Sequence, residues 1–201
     1  MRKGGCKEKG NQFEREMLKE LSFWLSDGER KDLLRRSMLS GGRTTKSLKE
    51  GELEYLEQAG DGALAAYHPR VASFLNIFLL EFKFYKDLRM DQFFWGSFAK
   101  EKSIVPFWRK LCKDALRIGR KPFLIAKQNA KSEVLVLNTD ALYYFDKQLY
   151  YFEGEYEKCK KSMGRLATIF PGYLKDGREF DDLIHIFSLR TFLDSVRFDP
   201  S

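Results

Sequence analysis

Ile77-Phe78-Leu79-Leu80-Glu81-Phe82-Lys83 is an apolar run that ends on two opposite charges. Read as a β-strand, alternation puts Glu81 and Lys83 on one face and Phe78, Leu80 and Phe82 on the other. A carboxylate and an amine at the end of so apolar a strand are costly to desolvate unless they pair or hold a metal. Gly60-Asp61 precedes Glu81 by a gap of nineteen residues. Asp61 and Glu81, drawn from two segments, would offer oxygen ligands to a hard divalent cation such as Mg²⁺, which takes few protein ligands and keeps several waters. A metal there would polarise a phosphoryl oxygen and lower the pKa of a bound water. Lys83 beside it would orient that water or neutralise charge growing on the phosphate. The triplet alone reads equally as a strand-end salt bridge.

Upstream, Gly10-Asn11-Gln12-Phe13-Glu14-Arg15-Glu16 opens a helical period in which Glu14, Leu18, Leu21 and Leu25 share one stripe. That spacing puts Glu14 on the buried side of its helix, near the first turn. A capping box, with Asn11 as N-cap and Glu14 reaching back to it, is the competing reading. The stretch Arg35-Arg36-Ser37-Met38-Leu39-Ser40-Gly41-Gly42-Arg43 combines basic, hydroxyl and glycine residues. It suits a loop that meets phosphates with guanidinium forks and backbone N–H groups, or a solvated loop with no ligand.

The order Asp61, gap, Glu81-x-Lys83 resembles the PD-(D/E)XK nuclease superfamily, with Gly60 standing where the motif name has proline. The Gly10-x-x-x-Glu14-Arg15 opening is similar to that of the archaeal and phage Holliday-junction resolvases of that superfamily. There the corresponding glutamate joins the metal site, and a serine between the helix and the Asp-bearing strand corresponds to Ser40 (or Ser37). The resemblance spans about residues 10–128 and implies an α/β, restriction-endonuclease-like αβββαβ core with a mixed central sheet. It implies Asp61, Glu81 and Glu14 as ligands of Mg²⁺ or Mn²⁺, and Glu14, Asp61, Glu81 and Lys83 as the catalytic set. Arg15, Arg36, Ser40, Arg43 and Lys127 are its candidate DNA contacts. It further implies branched DNA as substrate and a two-fold homodimer, because symmetric cutting of two strands needs two sites.

Downstream, Ile104 to Ile118 reads as an amphipathic helix with Ile104, Phe107, Leu111 and Ala115 on one side and Arg109, Lys113 and Arg117 on another. Gly119 can end it, and Pro122 to Ala126 reads as a short buried strand with Lys127 and Gln128 at its end. His68-Pro69 reads as a hairpin turn between the Asp61 and Glu81 strands. Glu133 to Asn138 reads as a further strand. The aromatic clusters Leu142-Tyr143-Tyr144-Phe145 and Leu149-Tyr150-Tyr151-Phe152 suit a core, an interface or a base-stacking platform. Phe180 to Val196, holding His185 and opening on Asp181 and Asp182, reads as a final helix.

The chain has 201 residues, 43% hydrophobic and 15% aromatic, enough for a core of its own. Net charge is +7, with Arg2, Lys3, Lys7 and Lys9 crowding the amino terminus, which favours a polyanionic partner. The expected organisation is a basic tail over 1–9, a nuclease core over 10–130 and an extension over 131–201 packed on it. Cys6, Cys112 and Cys159 show no ligand spacing and suit a reducing interior. Two histidines exclude a histidine-rich zinc site, and no P-loop or Ser-His-Asp order is present. No apolar stretch approaches the roughly eighteen residues of a membrane span. The expectation is a soluble, intracellular, cytoplasmic protein (host cytoplasm if viral) that meets no membrane. The functional expectation is a metal-dependent DNA endonuclease. The alternative is a non-catalytic nucleic-acid-binding or assembly protein on the same fold, which leaves the Asp61/Glu81/Lys83 set without a purpose.

Overall fold

The computed structural model describes residues 5–38, 59–88, 104–145, 165–169 and 184–198. Ser40 and Arg43, the second aromatic cluster, Cys159, and Asp181 with Asp182 lie outside the described residues. Helix α1 (Gly5–Leu25) buries Phe13, Met17, Leu18, Leu21, Trp24 and Leu25 along one stripe. It starts earlier than the motif suggested, so Asn11 is an interior residue and not an N-cap. Glu14 sits well inside the helix, which removes the capping-box reading. The helix ends as Gly28, at φ +89°, donates its N–H to Phe23 O at 2.7 Å, closing the last turn with a residue that tolerates that backbone.

Strand β1 (Leu34–Arg36) follows and pairs antiparallel with β2 (Gly62–Leu64) as a two-stranded ribbon. The Ser22 hydroxyl ties this ribbon to α1, donating to Leu18 O at 2.7 Å and accepting from Leu34 N at 3.0 Å. The stretch expected to be a hairpin turn after Asp61 is instead a helix, α2 (Pro69–Ile77), with His68 as N-cap and Pro69 in its first turn. Proline fits there because its φ is already helical and its missing N–H would have no partner. Helix α2 runs directly into β3 (Phe78–Tyr85) without a loop.

β3 pairs in parallel with β4 (Lys121–Gln128), and α3 (Ile104–Arg117) lies between them in sequence, the crossover that a parallel pair requires. Gly119, at φ +68°, closes α3 as expected. β4 then pairs antiparallel with β5 (Val134–Asn138), whose Asn138 side chain accepts from Ala141 N to cap the short α4 (Thr139–Leu142). β6 (Arg165–Ile169) and β7 (Ile184–Ser188) complete the sheet, and α5 (Leu189–Ser195) follows. Over its described residues, 184–196, the expected helix is therefore a strand and a short helix. His185 is buried on that strand, its Nε2 3.0 Å from the Thr139 hydroxyl.

The five strands run in the order β3-β4-β5-β7-β6 as a mixed sheet, with β3 at one edge. One face carries Phe78, Leu80, Phe82, Phe123, Ile125 and Leu135 and packs beneath α1 and α2 with Phe145, Phe192 and Phe198. The other carries Leu79, Leu124, Ala126 and Val136 and packs against Ile104, Trp108, Leu111 and Ala115 of α3. Trp24 Nε1 donates to Val196 O at 2.9 Å, which locks the last described segment onto α1. Among the described residues no helix is long and apolar enough to cross a membrane.

Candidate active site

The alternation along β3 divides its side chains between the two cores. Leu79 belongs to the α3 side, while Leu80 and Phe82 belong to the α1 side. Glu81 and Lys83 fall on the α3 side and form an ion pair, each about one-fifth exposed (21% and 19%). Burial works to lower the pKa of the Lys83 amine, but the Glu81 and Asp61 carboxylates outweigh it. The amine therefore titrates above the usual lysine value and is an ammonium at neutral pH.

Asp61 is fixed against the free edge of β3. Its N–H donates to Leu80 O at 2.9 Å, and its Oδ2 accepts from Phe82 N at 2.8 Å. On the ribbon side its carbonyl accepts from Ser37 N at 3.0 Å. Two backbone groups on the edge of β3 are thus taken by one residue, which sets the carboxylate beside Glu81. Asp61 is only 6% exposed. Burial first, and then the neighbouring Glu81 carboxylate, push its pKa up to about 7, against the lowering pull of Lys83 and the Phe82 N–H. Glu14 adds a smaller upward push, which places it within electrostatic reach of the same centre.

Close approach to β3 explains both glycines around Asp61. Gly60 has φ +82°, and a Cβ there would lie 2.6 Å from Leu80 O. Proline, held near φ −65°, cannot adopt that backbone, so the departure from the motif's proline follows from how this chain meets β3. At Gly62 a Cβ would come within 2.7 Å of Leu80 Cδ1 and 3.1 Å of Leu18 Cδ2. Gly62 is a residue that motif reading missed, and the Gly-Asp-Gly triplet was its only signal. Gly60→Ala is expected to cost about 2–4 kcal/mol, combining the left-handed backbone with a backbone clash. A thermal melt should show the midpoint falling by roughly 5–15 °C.

The remaining candidates distribute unevenly. Arg36, at the end of β1, turns inward and pairs through Nε with Glu14 Oε2 at 2.5 Å. Arg15 is exposed on α1. Lys127 is in register with Phe84 and lies over the Phe13 and Phe84 rings, paired with Glu133. It belongs to the α1 face of the sheet, away from Lys83. The structure thus brings Asp61, Glu81 and Lys83 together, leaves the Arg36–Glu14 pair within electrostatic reach of Asp61, and sets Lys127 apart.

The donor set suits a hard cation. Asp61, which is buried, and Glu81 are close enough to repel each other, and a divalent ion would relieve that repulsion. Among the described residues no group of three or more acidic, histidine or cysteine side chains is placed to hold a metal ion together. The Asp61–Glu81 pair is the kind of donor set that an ion such as Mg²⁺ would take, since it needs one or two carboxylates and keeps several waters.

Residues 5–168 match the family model described as "Phage putative PDDEXK endonuclease". No curated protein and no solved structure gave a match.

Proposed function

The chain belongs to the phage PDDEXK endonuclease family, and we propose that it hydrolyses phosphodiester bonds of DNA at the Asp61–Glu81–Lys83 cluster, with Mg²⁺ or Mn²⁺ as cofactor. The observation that carries this reading is the Asp61 carboxylate, pinned on the β3 edge beside Glu81 with its pKa near 7. A structural salt bridge accounts for Glu81 and Lys83 but gives no reason to bury a second acid next to them. The element order α1, β1, β2, β3, α3, β4, with α2 inserted before β3, supports an αβββαβ core.

Asp61 and Glu81 would hold the cation, with Glu14 assisting directly or through water. When bound, the cation supplies Lewis acidity toward a phosphoryl oxygen and makes water a better nucleophile at neutral pH. The Lys83 ammonium is placed to donate to the attacking water or to a phosphoryl oxygen, neutralising charge as the phosphorus becomes five-coordinate. Water oxygen bonds to phosphorus and gives up a proton to solvent, the bond to the leaving sugar oxygen breaks, and that oxygen takes up a proton from solvent, so the net change is addition of one water. Arg36 orients Glu14 through the ion pair between them. Arg15, exposed on the same helix, together with Ser40 and Arg43 of the basic stretch, would hold flanking phosphates, and Lys127 would reach DNA only beyond the α1 side of the sheet.

The similarity of the Gly10-x-x-x-Glu14-Arg15 opening to the Holliday-junction resolvases supports branched DNA as the preferred substrate and a homodimer as the active form. Labelled four-way junction, flap, linear duplex and single-stranded DNA, each incubated with Mn²⁺, test this. Paired symmetric nicks confined to the junction are expected. Equal cutting of all four would discard the resolvase assignment while keeping the nuclease. Binding without any cutting would favour the non-catalytic DNA-binding alternative.

A further inference from the structure

We propose that the stacked rings of Phe107 and Tyr85 are the positioning device of Lys83, an inference that rests on the nuclease reading above. Among the described residues Lys83 Nζ meets the Glu81 carboxylate, the Phe82 carbonyl at 3.3 Å and the Phe107 ring, with the nitrogen 5.4 Å from its centroid. The first two belong to β3 itself. The ring comes from another element, the first turn of α3, and unlike the Asp61 carboxylate that also attracts the amine, it would not be drawn to a cation.

Phe107 is in turn fixed by Tyr85, two residues beyond Lys83 on the same face of β3. The two ring centroids are 5.3 Å apart and the planes differ by 10°. Ile104, Val105 and Trp108 are the residues of this turn that fill the core, whereas Phe107 is only partly buried against it. Its ring is therefore free to serve the amine.

The need for such a partner comes from Glu81. A lysine on a four-carbon stem keeps one position only while something holds it. If Glu81 turns its carboxylate to a cation, Lys83 loses its strongest partner at the moment the reaction needs it. The electron-rich face of Phe107 still attracts the ammonium, and the Phe82 carbonyl still accepts from it. Together they hold the amine over the site. Phe107 acts through Lys83 and need not touch DNA.

The test uses Phe107→Leu, Phe107→Tyr and Phe107→Trp in the full chain, with Lys83→Ala alongside. Leucine keeps an apolar group but removes the ring face, while tyrosine and tryptophan retain it. Phe107→Leu is expected to lower kcat roughly two- to thirtyfold, the range of a cation–π contact, with KM for DNA within about twofold. The aromatic variants should restore kcat. A second readout needs neither metal nor activity: the Lys83 εCH₂ protons should resonate upfield, shifted by the Phe107 ring, and lose that shift in Phe107→Leu. The proposal is overturned if Phe107→Leu and Phe107→Tyr lose kcat equally, if neither loses it, or if the εCH₂ signal lies at the free-lysine position. Lys83→Ala separates the two failures. Should it cut as fast as wild type, the catalytic role of Lys83 fails, while the εCH₂ shift still decides whether the rings hold the amine.

Discussion

Asp61→Asn is expected to give a protein that is more stable than wild type without metal and almost inactive. The gain follows from linkage. Asp61 titrates near 7 in the folded chain against an ordinary value of 3.8, so between those values the folded state holds a proton that the unfolded state has lost. Stability from this group is therefore present at low pH and is lost as pH rises toward 7. Above pH 7 the ionised carboxylate costs on the order of 3–4 kcal/mol. Asparagine keeps an oxygen to accept from Phe82 N and carries no charge to desolvate or to repel Glu81. Urea unfolding at pH 8 should show the variant more stable by about 2–4 kcal/mol, with the difference fading as pH falls toward 4. A variant less stable than wild type at pH 8 would show that Asp61 is a structural acid. The rate should fall about a thousandfold or more, because a neutral amide is a poor ligand for a hard cation worth several kcal/mol to the transition state. A residue that lowers stability and raises activity is what a site built for charge, and not for packing, should contain.

Divalent metal is expected to reverse the same penalty. Mn²⁺ or Mg²⁺ at a hundred times its dissociation constant would stabilise the folded chain by about 2.7 kcal/mol. The melting temperature should then rise by roughly 5–10 °C at pH 8. Glu81→Ala should abolish most of that rise, since it removes one of the two principal carboxylates. The rise should shrink below pH 6, where protons compete for Asp61. Ca²⁺ serves as a further control, binding through the same oxygens. A melting temperature indifferent to all three ions would reduce the acid pair to an electrostatic accident of packing.

Much of this site was legible in the sequence because its logic is periodic. Two-residue alternation placed Glu81 and Lys83 together, and a 3.6-residue period placed Glu14 on the inner stripe of α1. What the sequence hid is instructive. Helix α2 and strand β3 form one uninterrupted stretch with no glycine or proline between Ile77 and Phe78, so nothing local marks where one geometry gives way to the other. Pro69 was read as a turn residue, although the first turn of a helix accepts proline equally well. Gly10 and Asn11 suggested a helix start that the structure places at Gly5, because a single glycine weakens a helix without ending it. Ile184-His185-Ile186-Phe187-Ser188 gave a short apolar run, too brief for its period to decide between strand and helix.

Tertiary contacts were out of reach for a different reason. The Arg36–Glu14 pair joins residues from α1 and β1, and the Phe107 ring under Lys83 joins α3 to β3. Neither spacing carries a signal. The role of Gly60 also depends on a distance to Leu80 O that only the folded chain defines. Sequence reading found the chemistry-bearing groups, and folding supplied the partners that fix their protonation and position.

If Asp61 and Glu81 hold a cation for hydrolysis of DNA, cleavage by the purified chain should depend on the ion and on both carboxylates. Supercoiled DNA and a labelled four-way junction would be incubated with Mn²⁺, with Mg²⁺ and with EDTA, using wild type, Asp61→Ala and Glu81→Ala at equal concentration. Each variant would first be confirmed as folded by its melting curve. Cutting that requires the ion and falls at least about a thousandfold in both folded variants is the expected result. Cutting that persists in EDTA, or that survives loss of either carboxylate, would contradict the account.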